Sequence, residues 1–213
     1  ENNSVAKNTP EFKNLNYNMG YAHFKLKEYT QAATYFDKFI ASANSDAIRV
    51  ADANLRLADS HFVSGKYWPA MEAYNKAIEM KGPDADYASY QKAISYGFVE
   101  RGEKKIEELV AFVAKFPKSQ YHDDALFELG NSYTNAGKNQ EALTTYDKLV
   151  KAYPNGGYTS RAILRQGLIY YNAGNDDSAL TKFKKVAADF PNSSEALSAV
   201  KTAELIYIDK GQV

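Results

Sequence analysis

Small side chains return along this chain at a step of 37 or 38 residues. Gly20 is followed by Ala58 thirty-eight positions on, and Gly130 by Gly167 thirty-seven on. A second column moves in step through Ala32, Ala70, Ala142 and Ala179, and a third through Phe36, Tyr74, Tyr146 and Phe183. A period of this length marks a solenoid, in which each unit buries its apolar face only by stacking on its neighbours. With each unit read as a helix pair, the predicted fold class is all-α: a solenoid of antiparallel helix pairs with about eleven helices.

Each unit reads as two helices. In the fourth, Leu126, Leu129, Gly130, Tyr133 and Ala136 fall at helical spacing, Gly137-Lys138 turns the chain, and Ala142, Leu143, Tyr146, Leu149 and Val150 face inward until Pro154 stops the second helix. The fifth repeats this with Ile163, Gly167, Tyr170, Gly174, Ala179, Phe183, Val186 and Pro191. A glycine within a helix costs about 1 kcal/mol relative to alanine, so an offset is needed. The expected offset is close approach of Gly20, Gly130 and Gly167 to Ala32, Ala142 and Ala179.

The third unit departs from the pattern. Tyr90, Ile94 and Phe98 give a first helix and Gly102 a turn, after which Ile106, Leu109, Val110 and Val113 follow without the alanine. Counted back from Pro117 it lacks about two residues relative to its neighbours, which predicts a kink or altered curvature. The array is read as one domain over 1–213, with repeats near 11–45, 46–83, 84–117, 118–154 and 155–191 and a sixth first helix at 193–210. That last helix carries Leu197, Val200, Leu205, Ile206 and Ile208, and the chain ends where its second helix would begin. A fragment of a longer repeat protein is expected.

These columns resemble the tetratricopeptide repeat (TPR) family, whose small-residue columns, mid-helix tyrosine, turn glycine and closing proline are matched by Gly130, Tyr133, Gly137, Ala142, Tyr146 and Pro154. The usual period of that family is 34 residues, shorter than here, and its usual tryptophan is missing. The added residues lie around Phe116-Pro-Lys-Ser, Tyr153-Pro-Asn-Gly and Phe190-Pro-Asn-Ser. This punctuation is similar to the bacterial cell-envelope branch, which includes the periplasmic coordinator of the Tol-Pal system and the repeat lipoprotein of outer-membrane barrel assembly. The resemblance implies a right-handed α-solenoid that serves as a non-catalytic scaffold and binds a protein or peptide, in the periplasm or membrane-anchored facing it, with the cytoplasm as the alternative. The other readings left open are a structural spacer, self-associating through the helix at 193–210, and an accessory domain of a larger protein.

Composition removes several classes. Lys plus Arg equals Asp plus Glu at 26 each, so no net field recruits nucleic acid or anionic lipid. Without cysteine there are no disulfides or thiolate metal sites. The longest apolar run, Leu109 to Ala114, cannot span a bilayer. No catalytic, cofactor-binding or metal-ligating residue is expected. His23 and His61 share the column of Tyr133 and Tyr170 and read as repeat-core residues. His122-Asp123-Asp124 and Asn175-Asp176-Asp177 read as helix starts, where acids suit the dipole. Gly156-Gly157 lacks the lysine of a phosphate loop. Trp68, beside Pro69, reads either as a ring covering the preceding turn, the commoner case, or as an outward-facing contact.

Function is expected on the first helices, whose residues away from the packing stripe should line a groove. The candidates are Tyr17, Asn18, Tyr21, Lys25, Arg56, Asp59, Tyr96, Phe127, Glu128, Asn131, Asn135, Arg165, Leu168 and Asn172, with Asn14, Asp52, Leu55, Val63, Lys92 and Leu164 beside them. Rings and amides of this kind suit an extended or helical peptide. Family members that clamp a C-terminal carboxylate use lysines and asparagines in two such columns. Here those columns read Tyr17, Leu55, Phe127, Leu164 and Tyr21, Asp59, Asn131, Leu168, where only Asn131 fits.

Overall fold

A computed structural model describes residues 14–42 and 46–211. The margins of the repeat expected at 11–45 lie outside the described residues. Eleven helices follow one another: α1 (Leu15–Lys25), α2 (Tyr29–Ala41), α3 (Ala47–Val63), α4 (Tyr67–Glu79), α5 (Ala85–Phe98), α6 (Gly102–Lys115), α7 (His122–Asn135), α8 (Asn139–Ala152), α9 (Thr159–Asn172), α10 (Asp176–Asp189) and α11 (Ser194–Asp209). No strand occurs among the described residues. The chain divides into two compact units, residues 1–108 and 109–213, and the division falls inside α6.

In the first unit α1 pairs with α2 and α3 with α4, while α2 packs on α3 and α4 on α5. Its core is continuous from Ala32, Phe36 and Phe39 through Ala53, Leu57 and Ala58 to Ala70, Tyr74 and Ala88. In the second unit α7 pairs with α8 and α9 with α10, α8 packs on α9, and α11 lies against both α10 and α9. Leu126, Tyr146, Leu149 and Ala162 fill one part of its core and Ile163, Phe183, Val186 and Ile206 the other.

The repeated glycines make room for a different partner from the one spacing predicts. A Cβ added at Gly20 would stand 2.8 Å from the Phe36 ring, one at Gly167 2.5 Å from the Phe183 ring, and one at Gly130 closer still to Tyr146. The glycine thus seats the aromatic ring sixteen positions on, one turn beyond the alanine column. Ala58 and Tyr74 stand at the same separation, and both are fully buried. Ala32, Ala70, Ala142 and Ala179 are also fully buried, but a methyl facing hydrogen needs no special clearance. A ring does, and that clearance is what offsets the helix cost of glycine.

In the third repeat Lys105 stands in the alanine column. Its stem is accommodated because the facing residue is Gly97, whose added Cβ would lie 3.2 Å from Lys105 Cδ. The inner face of α6 also differs from expectation. Phe112 is buried and Val110 is 44% exposed.

Each first helix ends the same way. Lys27, Gly65, Glu100, Gly137 and Gly174 all have positive φ, between 58° and 72°. The next residue then donates its N–H to the carbonyl of His23, His61, Tyr96, Tyr133 or Tyr170, closing the helix with a left-handed cap. The third turn is therefore made by Glu100, and Gly102 opens α6 instead of forming the turn. Lysine and glutamate accept a conformation that costs L-residues roughly 1–2 kcal/mol. Gly211, after α11, also has a positive φ of 65°.

Candidate functional site

Helix α3 carries Asp52, Arg56 and Asp59 one turn apart on a single face. The Tyr17 and Tyr21 hydroxyls both donate to Asp52 Oδ2, at 2.7 and 2.5 Å. Arg56 lies between the acids: Nη1 is 2.9 Å from Asp59 Oδ2 and Nε 3.4 Å from Asp52 Oδ1, and Nε also donates to the Tyr21 hydroxyl at 3.3 Å. On the other side Tyr74 and Tyr87 donate to Asp59 Oδ1 at 2.8 and 3.0 Å. Four tyrosines, two carboxylates and one guanidinium therefore form a continuous network from α1 through α3 to α4 and α5.

The burial of this network has electrostatic consequences. Burial pushes the Asp59 carboxyl above its ordinary range, although Tyr74, Arg56 and Tyr87 all favour its charge. Tyr17 and Tyr74 are pushed far up, first by burial and then by the neighbouring carboxylates, so both remain donors at any physiological pH.

Beside Asp52 lies a cavity of about 230 Å³. Ala51, Leu55, Ala77, Pro83 and Ala85 form its apolar walls, the Tyr17 and Tyr21 rings one side, and Ile48, Arg49 and Asp84 its rim. Ile48 is 74% exposed there.

In the second unit the matching columns hold Phe127 in place of Leu55 and Tyr158 in place of Asp84. These two rings stack with centroids 4.8 Å apart, filling the space that is open beside α3. Asp124, the counterpart of Asp52, accepts the Tyr158 hydroxyl at 2.5 Å. That bond, then burial, pushes Tyr158 up to about 12. The Asp59–Tyr74 bond has its own counterpart, since Tyr146 donates to Asn131 Oδ1 at 2.8 Å.

The predicted groove residues divide by exposure. Asn18, Lys25, Asn135, Arg165 and Asn172 are exposed; Tyr17, Tyr21, Arg56, Tyr96, Glu128, Asn131 and Leu168 are half-buried. Asp59 and Phe127 are buried, one inside the polar network and the other under Tyr158. Leu55 is buried as well. Tyr96 stands in the column of His23, His61, Tyr133 and Tyr170, and Lys92 is held by Glu108 at 2.6 Å. The cause is register: Ala58 to Ala93 is thirty-five residues, so the groove columns of the third repeat hold Tyr87, Tyr90, Gln91 and Ile94.

Tyr74 and Tyr87 are the network members that spacing missed. A signal for Tyr74 exists. Where the ring column is tyrosine, a carboxylate or amide stands fifteen residues earlier (Asp59, Asn131); where it is phenylalanine, Tyr21 or Leu168 stands there. No comparable signal marks Tyr87.

Among the described residues no three His, Asp or Glu side chains converge as a metal site, and no helix is long and apolar enough to cross a membrane. His122 Nδ1 lies 2.8 Å from the Tyr153 hydroxyl. Asn175 caps α10 by accepting from Ser178 N–H. Trp68 is 53% exposed. The arrangement around α3 can hold an apolar side chain and present a carboxylate and fixed hydroxyls to its backbone.

Models of the tetratricopeptide repeat match residues 17–86, 124–156 and 161–193, together more than half of the chain. No curated protein matches by sequence. Among solved structures the chain is similar to a MamA protein, at 20% identity and a TM-score of 0.69, over 85% of this chain and 93% of that one. It is similar also to MamA from Desulfovibrio magneticus RS-1, at 17% identity and 0.67, over 85% and 97%. A third likeness is YrrB, described as a TPR protein with an unusual peptide-binding site, at 20% identity and 0.65, over 87% and 90%. At such identities the likeness is one of fold.

Proposed function

Because the chain belongs to the tetratricopeptide repeat family, we propose that it is a non-catalytic scaffold whose first unit holds a protein or peptide partner in the cavity beside Asp52. One observation carries this reading: an open apolar cavity bordered by hydroxyls that Asp52 has already fixed. At about 230 Å³ it falls below the roughly 300 Å³ at which small-molecule pockets begin, and it suits one anchoring side chain of an extended segment. Preset rings lose little ordering entropy on binding. The peptide-binding site named for YrrB is consistent with such a use of this fold. The aromatic–Pro–x–small punctuation leads us to place the scaffold in the bacterial cell envelope; fractionation of the native host, with the protein released from the periplasm, is the test of that address.

The groove is tested by selecting binders from a displayed random-peptide library on the whole chain and titrating them calorimetrically. Asp84→Tyr, which installs the ring that fills the second unit, should weaken the selected peptides at least tenfold, about 1.4 kcal/mol. Ile48→Asp at the exposed rim should do the same without touching the core. Asn172→Ala in the second unit should change nothing. Peptides that bind Asp84→Tyr and Ile48→Asp as tightly as the parent would overturn the assignment.

A further inference from the structure

Helix α11 buries one face and leaves the opposite one bare. Ala196, Ala199 and Ile206 are buried against the rest of the second unit. On the other side Leu197, Val200, Leu205 and Ile208 are each 52–59% exposed. At 100° per residue these four, with Lys201 and Glu204, fall within an arc of about 140°. The columns of Val200 show how unusual this is: their members in the preceding repeats, Leu126 and Ile163, are 2% and 1% exposed. Four large apolar side chains on one exposed face form a patch of the kind that marks an association surface.

The order of residues on that face identifies what covers it. Place two copies of α11 antiparallel about a two-fold axis midway between residues 202 and 203. Val200 and Leu205 then flank the seam on opposite edges, each beside its own counterpart in the partner, while Leu197 meets the partner's Ile208 and Lys201 the partner's Glu204. Each of these last two pairings occurs twice, as a self-complementary interface requires. All four apolar residues find an apolar neighbour and both charges find the opposite sign. A shift of one turn in either direction breaks the charge match. Lys201 and Glu204 are exposed, and neither engages another side chain of its own chain among the described residues. We propose that the bare face of α11 is a homodimer interface, occupied by α11 of a second copy in antiparallel two-fold register, independent of the peptide groove on the first unit.

The contact is short. A helix of 16 residues is about 24 Å long, so dimerisation should be a micromolar event and not an obligate one.

Sedimentation equilibrium of the whole chain between roughly 10 and 500 µM should show the mass rising from 23.8 kDa toward twice that value. Lys201→Glu should weaken the dimer at least tenfold by setting glutamate against glutamate, and Glu204→Lys should do so by setting lysine against lysine. The double exchange Lys201→Glu/Glu204→Lys should restore the parent's affinity. All three substitutions are on exposed positions, and circular dichroism should show the parent's helicity in each. A monomer throughout the range overturns the proposal. So does a dimer indifferent to the single substitutions, or one that the double exchange fails to restore.

Discussion

In the first unit the residue that follows the small packing residue of α3 is Asp59, and it takes hydroxyl hydrogens from two tyrosines while pairing with Arg56. In the second unit the matching residue of α7 is Asn131, which takes one hydroxyl hydrogen from Tyr146. The same contrast runs along the neighbouring columns. Arg56 corresponds to Glu128, Leu55 to Phe127, and Asp84 to Tyr158. An acid–arginine–acid row beside an open cavity stands in one unit, and stacked rings that close the space stand in the other. The small-and-large pair sixteen residues apart is common to both. Once that pair fixes each hairpin, the columns along the first helices are free to diverge in chemistry.

The largest way to break this contrast is Arg56→Met. It leaves Asp52 and Asp59 facing one another with no cation between them, and should cost about 3 kcal/mol in urea unfolding. Adding Asp59→Asn, the residue of the second unit, should recover most of the loss. The matching change Glu128→Met should cost under about 1 kcal/mol.

A second substitution sharpens the contrast with the opposite sign. Asn54 is 2% exposed, donates to the Val50 carbonyl, and leaves its Oδ1 without a partner. Its column holds Leu126 and Ile163 in the second unit. Asn54→Leu should therefore stabilise by about 1 kcal/mol, read by the same denaturation.

The smallest effect concerns pH. Burial lowers the pKa of His61 below 6.5, and the second unit carries Tyr133 and Tyr170 in that column. A base whose pKa is depressed on folding contributes its full stability above the unfolded value of 6.5, and loses it as pH falls through the folded one. Acidification below pH 6.5 should therefore destabilise the parent relative to His61→Tyr, by under about 1 kcal/mol. Unfolding midpoints collected at several pH values would reveal it.

Much of the fold was legible because periodic columns register burial directly. Gly130, Ala142 and Tyr146 recur, and all three are buried. Which columns touch was not legible. Periodicity shows that glycine and alanine both recur, while only the interhelical geometry shows that the glycine faces a ring. The third repeat was misread for a physical reason: a step of thirty-five residues moves the groove columns, and Tyr96 fell into the hairpin column in place of Ile94. The site was half legible. Tyr17, Tyr21, Arg56 and Asp59 were named from spacing, yet the bonds from Tyr17 and Tyr21 to α3 cross between repeats, and no local pattern encodes a contact from Tyr87 to Asp59.

A double-mutant cycle on Gly167 and Phe183 tests most directly whether one small side chain seating one large one fixes each hairpin. In the parent, Gly167→Ala should cost about 2 kcal/mol, because the new Cβ meets the Phe183 ring. In a Phe183→Leu background, which removes the ring that the new Cβ would meet, the same substitution should be neutral or stabilising. The alanine then keeps its helix advantage of about 1 kcal/mol, and the coupling should exceed about 1 kcal/mol. Equal effects in the two backgrounds would contradict the account.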